Sequence, residues 1–338
     1  MRVYEVVKGA TGIDGLKQAE RPDPKPGRGE VLVRVRATAL NFRDLAVVMG
    51  VYPGPPGTGN VIPLSDGAGE VVETGEDVNR FKTGDRVAAT FFKGYIAGPP
   101  RQFYAALGGP GVDGMLAEYV VAAETDLVRL PDSFSFEDGA ALPCAAVTAW
   151  HALMVAGGPI KPGDTVLTLG TGGVSMFAVQ FAKAAGARIV TTSSSDEKLE
   201  RAQKHGSHIL INYKRTPEWG AEVMKLTGGH GADCVVEVGG SGTLAQSFQA
   251  VAMGGKVSLI GVLTGPGGDT NPHGLMFKAA SLHGIFVGNR TMFEDMLDAM
   301  VVNRIKPIIG KVFPFEDAAA AYQYQQAAKH FGKVVIKV

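Results

Sequence analysis

Thr165-Val166-Leu167-Thr168-Leu169-Gly170-Thr171-Gly172-Gly173-Val174-Ser175 is the stretch on which the fold turns. A short apolar strand runs into a glycine turn, and a helix opens behind it. Val174, Phe177, Ala178, Phe181 and Ala182 then recur at the spacing of one helical face. Strand, glycine turn and helix in that order are what a dinucleotide-binding loop requires. Gly170 permits the tight turn. Gly172 and Gly173 let the backbone approach a pyrophosphate at the positive end of the helix, where Val174 follows. The usual third glycine is Ser175, small enough for close helix–strand packing. A lone glycine turn is also an ordinary structural turn, so the reading depends on what surrounds it.

Around it the chain alternates apolar runs with amphipathic stretches: ARIVTTS (187–193), HILIN (208–212), ADCVVEV (232–238) and GKVSLIG (255–261). SLHGIFV (281–287) reads as a sixth strand. Repeated β-α units with near-continuous apolar strands predict an α/β, doubly wound parallel sheet. Cofactor choice is read where the second strand ends, at Thr191-Thr192-Ser193-Ser194-Ser195, with Asp196 and Lys198 already in the next helix. An NAD site places an acidic residue there; hydroxyls with an ammonium suit the 2′-phosphate of NADP(H). Ser195 can at the same time cap the helix and Lys198 lie on a solvated face.

Residues 1–125 have a different texture. Residues 31–36 alternate with period two, and short strands follow at 69–74, 85–90 and 117–122, separated by Gly, Pro and Asp turns. That spacing predicts a compact antiparallel β-barrel. The tail from 315 reads as a helix and a closing strand that returns to this first domain. The expected domains are therefore 1–128 with 307–338, and 129–306.

The 46 glycines in 338 residues are about twice the average usage of about 7%. The ordinary apolar content of 45% excludes a disordered linker, and the lack of a three-residue period excludes collagen. Thirty-three basic and 33 acidic residues cancel. With no basic footprint, neither nucleic acid nor an anionic membrane is the expected partner. Two cysteines, Cys144 and Cys234, allow no disulfide framework. With no signal-like N-terminus and no run near the roughly 20 residues that span a bilayer, a cytoplasmic protein acting on a small molecule is expected.

Taken together, residues 39–44 (ALNFRD), 67–72 (GAGEVV), 81–87 (FKTGDRV), Leu142-Pro143 through Thr148-Ala149, the Gly172-Gly173-Val174 loop and 332–335 (GKVV) resemble the medium-chain dehydrogenase/reductase superfamily. They are similar to its zinc-independent quinone oxidoreductase branch. The resemblance implies a GroES-like catalytic domain beside a Rossmann domain, with the active site in the cleft between them, and a homodimer. It implies that Thr148, Tyr213, Gly261, Val262, Val287 and Asn289 lie at the cofactor, Tyr213 near the 2′-phosphate.

Departures from the pattern carry as much information. Zinc-dependent relatives have cysteine where this chain has Asn41 and Gly-His-Glu where it has Leu64-Ser65-Asp66; of the ligand positions, only Cys144 keeps its thiol. One thiol does not hold a catalytic zinc, which takes about three protein ligands. Asp66 with Cys144 forms at most a residual site, and Cys144 reads better as a small packed residue. The structural-zinc loop is replaced by residues 91–115, without cysteine. Lacking a Lewis acid, the chain suits hydride transfer to a quinone or α,β-unsaturated carbonyl, whose conjugation delocalises the charge that develops. Candidate donors toward that oxygen are Asn41, Arg43 and Tyr52. Arg43 serves equally as a brace for its loop. The aromatics of 91–115 either wall a pocket or pack as a loop or dimer contact, and 91–115 and 265–268 are where specificity is expected. An NAD(P)-dependent alcohol dehydrogenase and a non-catalytic NADPH-binding protein are the alternative readings.

Overall fold

The computed structural model describes every residue except 55–58, 266 and 268–269. Of the glycine-rich 265–268, Pro266 and Gly268 thus lie outside the described residues. The chain divides into two compact units, Met1–Val147 with Gly288–Val338, and Thr148–Val287.

In chain order the first unit opens with β1 (Arg2–Val6), β2 (Leu16–Glu20), β3 (Glu30–Leu40), α1 (Phe42–Val48), β4 (Asp66–Thr74), β5 (Arg86–Ala89), β6 (Tyr119–Ala123), β7 (Leu127–Arg129) and α2 (Phe136–Ala140), and α3 (Ala145–Trp150) runs across the division. The second contains a π-helical turn at His151–Val155, then β8 (Thr165–Leu169), α4 (Gly173–Ala184), β9 (Arg188–Ser193), α5 (Asp196–His205), β10 (Ile209–Asn212), α6 (Trp219–Leu226), β11 (Ala232–Glu237), α7 (Leu244–Ala250), β12 (Val251–Leu259), α8 (His273–Phe277) and β13 (Ser281–Gly284). The chain then returns to the first unit with α9 (Arg290–Val302), β14 (Ile309–Pro314), α10 (Ala318–Gln326) and β15 (Lys333–Lys337).

In the second unit the six strands form a parallel sheet in the order β10-β9-β8-β11-β12-β13. All five residues of β8 are buried, as a central strand covered on both faces must be. Of the face expected on α4, Phe177, Ala178, Phe181 and Ala182 are buried and Val174 only partly so; Ser175, Met176 and Val179 are buried as well, because the helix is covered on more than one side. Strand order reverses between β8 and β11, which is the switch point where open α/β sheets take ligands. Two strands end earlier than their apolar runs. β12 stops at Leu259, because Ile260 and Gly261 turn back to donate to the Glu237 carbonyl. β13 stops at Gly284, and Val287 beyond it sits at φ 51°.

The first unit is built on β3, eleven residues long. Val31, Val33 and Val35 alternate inward as expected, but Ala37 to Leu40 are all buried. There β3 is flanked by β4 on one side and β15 on the other. The sheet runs β14-β15-β3-β4-β5-β7 with β6 also on β3. Its pairs are antiparallel except β14–β15, which α10 connects as a parallel crossover. The division falls later than 128/129 and earlier than 306/307, because α2 lies along β3 and β4 and α9 against β7.

Two glycines hold the ends that matter most. Gly170 takes φ 74° and donates to the Thr192 carbonyl at 2.8 Å; a Cβ there would meet nothing within 4 Å. Gly332, just before β15, takes φ 71°, and a Cβ would lie 2.1 Å from the Ile308 carbonyl oxygen. Gly170→Ala therefore meets only the left-handed penalty, about 1–2 kcal/mol. Gly332→Ala adds a backbone clash and is expected to cost roughly 3 kcal/mol or more. Thermal melts of the two variants check this, with Gly332→Ala several degrees lower; equal melting points would remove the distinction.

Candidate functional site

Asn41 starts α1. Its backbone N–H donates to the Asp44 carboxylate at 2.7 Å, and its side-chain Oδ1 accepts from Lys333 Nζ at 2.6 Å. Lys333 reaches this point because β15 pairs with β3 in the register Val334↔Leu40. The same ammonium donates to the Leu40 carbonyl at 2.7 Å and to Asp66 Oδ2 at 3.3 Å. Asp66 is fully buried; its other oxygen accepts from the Ser65 hydroxyl at 2.8 Å, and its carbonyl from Thr38 Oγ1. Cys144 lies close enough that Asp66, after burial, pushes its thiol well above the ordinary range.

Arg43 acts in part as a brace. Nη1 donates to Leu107 O at 2.8 Å and to Asp44 Oδ1 at 3.2 Å. The guanidinium carbon lies 4.3 Å from the Tyr52 ring centre and 5.3 Å from that of Phe91, a cation–π sandwich. Yet Arg43 Nε and Nη2, Tyr52 Oη and Asn41 Nδ2 are buried with no hydrogen-bond partner among the described residues. The three side chains proposed as donors thus carry donor atoms that no described residue meets.

The 91–115 segment is packed rather than splayed. Phe91, Phe92 and Tyr95 are buried against one another, and Tyr104 stacks on Tyr95 at 4.5 Å; Phe103 alone of these aromatics is strongly exposed, at 71%. The segment is stitched to the start of α9, where Asn289 Nδ2 donates to Gly98 O at 3.1 Å. Asn289 Oδ1 caps α9 by accepting from Met292 N–H. Both ends of that amide are therefore engaged within the first unit, and only its backbone remains for the cofactor role expected of it.

In the second unit Gly172 caps α4 without a side-chain hydrogen bond, so the amides of the first turn, at Gly173, Val174 and Ser175, have no competing side-chain acceptor. Ser175, at the third-glycine position, donates its hydroxyl to Leu169 O at 2.7 Å and ties helix to strand. At the end of β9, Ser193 is buried, Ser195 caps α5 by accepting from Lys198 N–H, and Ser194 and Lys198 are partly exposed. Burial, then Arg201, holds the Lys198 ammonium below its usual range. Asp196, the acidic residue beside this position, is neutralised by two hydrogen bonds from Arg215 at 2.8 Å each and one from Asn212. Tyr213 is 41% exposed, and its N–H donates to Ser193 O. Thr148 is buried on α3, and Val262, beyond β12, is exposed beside Gly261.

Several residues here left no mark in the sequence reading. His151 Nδ1 donates to the Val287 carbonyl at 2.6 Å, and burial holds the ring neutral. A β-branched residue at φ 51° is strained, and the imidazole holds it so. Glu237, fully buried at the end of β11, accepts from the amides of Gly239 and Gly240 and from the hydroxyls of Thr243 and Ser247. Lys256, buried on β12, donates to the carbonyls of Leu153, Ala156 and Gly158.

Residues 27–132 match the family model described as an alcohol dehydrogenase GroES-like domain, and residues 173–301 the one described as a zinc-binding dehydrogenase. A zinc-type alcohol dehydrogenase-like protein of Schizosaccharomyces pombe is 46% identical over 99% of both chains. A quinone oxidoreductase of Pseudomonas aeruginosa is 32% identical over 96% of both. A solved NAD-dependent alcohol dehydrogenase superposes with a TM-score of 0.91 at 33% identity, over 100% of both chains. With a parallel Rossmann sheet in one unit and a GroES-like antiparallel sheet in the other, the chain belongs to the medium-chain dehydrogenase/reductase superfamily of NAD(P)-dependent oxidoreductases.

Proposed function

We propose that the protein is a zinc-independent, NADPH-dependent reductase of quinones or α,β-unsaturated carbonyls. The observation that carries this reading is the Lys333 ammonium, 2.6 Å from Asn41 Oδ1 and 3.3 Å from Asp66. The residues at the zinc-ligand positions do not fit a zinc ion: an amide bound to an ammonium, a hydroxyl donating to Asp66, and a thiol that burial keeps protonated. A zinc site needs deprotonated ligands. Among the described residues no three His, Cys, Asp or Glu come together as a metal set.

The second unit fits a dinucleotide, with φ 74° at Gly170 and α4 lacking a side-chain cap. Gly170, Gly172, Gly173 and Val174 would hold the pyrophosphate. Ser193, Ser194, Lys198 and Tyr213 would hold the 2′-phosphate, and Thr148, Gly261, Val262, Val287 and the Asn289 backbone the nicotinamide end. Asp196, already paired with Arg215, neither repels a phosphate nor stands ready for a ribose hydroxyl. When bound, the reduced nicotinamide supplies the hydride. Asn41 and Tyr52 then donate to the acceptor oxygen as it gains charge, and Arg43 adds a positive field. Asp44 lies beside them; burial pushes its carboxyl up to about 6, against the opposing pull of Arg43. The names of two relatives favour alcohol oxidation as a second reading.

Steady-state assays with NADPH and a panel of quinones and enones are expected to show turnover that EDTA leaves unchanged. No turnover on the panel, together with EDTA-sensitive alcohol oxidation, would establish the second reading instead. Lys198→Ala is expected to weaken NADPH binding by about tenfold or more while leaving NADH nearly unchanged, since only NADPH carries the extra dianion; equal losses in the two titrations would refute the phosphate assignment. For Asp44, the folded value lies above the unfolded value of about 3.9. Its contribution to stability is thus greatest below about pH 4 and is lost as pH rises through about 6. Thermal midpoints over that range should therefore fall with rising pH relative to those of Asp44→Asn. Parallel curves would show that Asp44 does not titrate there.

A further inference from the structure

An ammonium has three donors and no acceptor, whereas a primary amide has an acceptor oxygen on one side and two donor hydrogens on the other. Lys333 directs its donors at Leu40 O, Asn41 Oδ1 and Asp66 Oδ2. A 2.6 Å contact with Nζ can be made only by the amide oxygen, which fixes the orientation of the Asn41 side chain. Its Nδ2 must then face the other way. There it is buried, in a residue only 9% exposed, with no partner among the described residues. Leaving a buried donor unmet costs about 1–3 kcal/mol, and Tyr52 Oη, Arg43 Nε and Arg43 Nη2 are left in the same condition.

We infer that Lys333 is a positioning residue that works through Asn41: it holds Oδ1 so that Nδ2–H₂ is presented, and polarised, toward the carbonyl oxygen of a conjugated acceptor. This rests on the reductase reading above and extends it to a charge that never touches the substrate. Hydrogen bonds in series strengthen one another, and one accepted from a cation is charge-assisted. The ammonium on Oδ1 draws density from the amide and makes Nδ2–H the better donor to a developing enolate or phenolate. Asp66, fully buried with Ser65 on its second oxygen, keeps the buried charge balanced. Hydride enters at the far carbon of the conjugated system, its π pair moves onto the oxygen, and Asn41 meets that oxygen without giving up a proton. The enolate carbon is then protonated from solvent.

Asn41→Asp tests the inference in the full-length chain, because it keeps an oxygen toward Lys333 and replaces the presented N–H₂ with a carboxylate oxygen that cannot donate. It is expected to melt at or above the wild-type temperature and to bind NADPH unchanged. Its kcat should fall by about 100-fold, the loss typical of one oxyanion donor. Lys333→Met is expected to lose kcat comparably, and the double variant little more than either single variant, as for residues acting as one unit. Undiminished kcat in Asn41→Asp would overturn the inference, whether or not Lys333→Met folds. The ¹⁵N-labelled side-chain amide of Asn41, identified by its loss in Asn41→Asp, gives a readout that needs no turnover. In protein with NADP⁺ and no acceptor, its nitrogen and proton resonances should lie downfield of those of a solvent-exposed asparagine amide, because the cation draws density from Oδ1. If wild type reduces no conjugated acceptor and the resonances are so displaced, the reductase reading fails alone. If they match those of an exposed amide, the inference fails.

Discussion

Taking an ammonium out of water costs several kcal/mol unless acceptors replace the water it loses. Lys333 is almost fully buried, and three acceptors replace its hydration: one backbone carbonyl, one amide and one carboxylate. That requirement organises the first unit. β15 must lie beside the inner half of β3 in one register, because a slip by one residue would turn Lys333 to the other face of the sheet. Asp66 must turn one oxygen to Lys333, Ser65 must supply its second oxygen with a donor, and Asn41 must turn its oxygen, not its nitrogen, to the ammonium. Gly332 lets the chain enter β15 against the Ile308 carbonyl, where any side chain would be expelled.

The second unit follows the same rule with opposite signs. Glu237 is fully buried yet accepts two amides and two hydroxyls, so the turn after β11 is shaped around a carboxylate. Lys256 draws together three carbonyls at the end of the π-helical turn. Asp196 is cancelled by Arg215 before it can act on a ligand. Glu237, Lys256 and Asp196 are thus each compensated by the protein. What remains open to a ligand is mainly backbone N–H at α4 and the polar side chains after β9.

Local pattern explains which parts of this were legible in the sequence. The β8 turn and α4 could be read because strand, turn and helix are contiguous, and Ser175 behaved as a small packing residue. β3 could be read only through its alternating half; Ala37 to Leu40 have no period because successive residues, on opposite faces of the strand, are all buried there. β14 was missed because its burial is irregular. Arg43 was legible as donor or brace, and the structure gives it bracing contacts while leaving two nitrogens unmet. Lys333 entered the resemblance only as part of GKVV, and nothing local marked its role: in a tail reading GKVVIKV, a lysine looks like the solvated face of a strand. Its partners lie 292 and 293 positions away. Val287 was named through the resemblance, but its conformation was equally silent, since nothing in its neighbours announces a left-handed valine whose carbonyl accepts from His151.

The separation between Lys333 and its partners also sets a clock. Asp66 precedes Lys333 by 267 residues, which a ribosome adding about 5–20 residues per second takes roughly 15–50 s to make. Throughout that interval the second unit can complete its own sheet, whereas β3 and β4 lack the cation their buried carboxylate needs. The N-terminal strands must therefore wait, hydrated and open, for β15 to emerge. Exposure to misassembly during synthesis thus falls on the strands that later enclose Asp66 and Lys333.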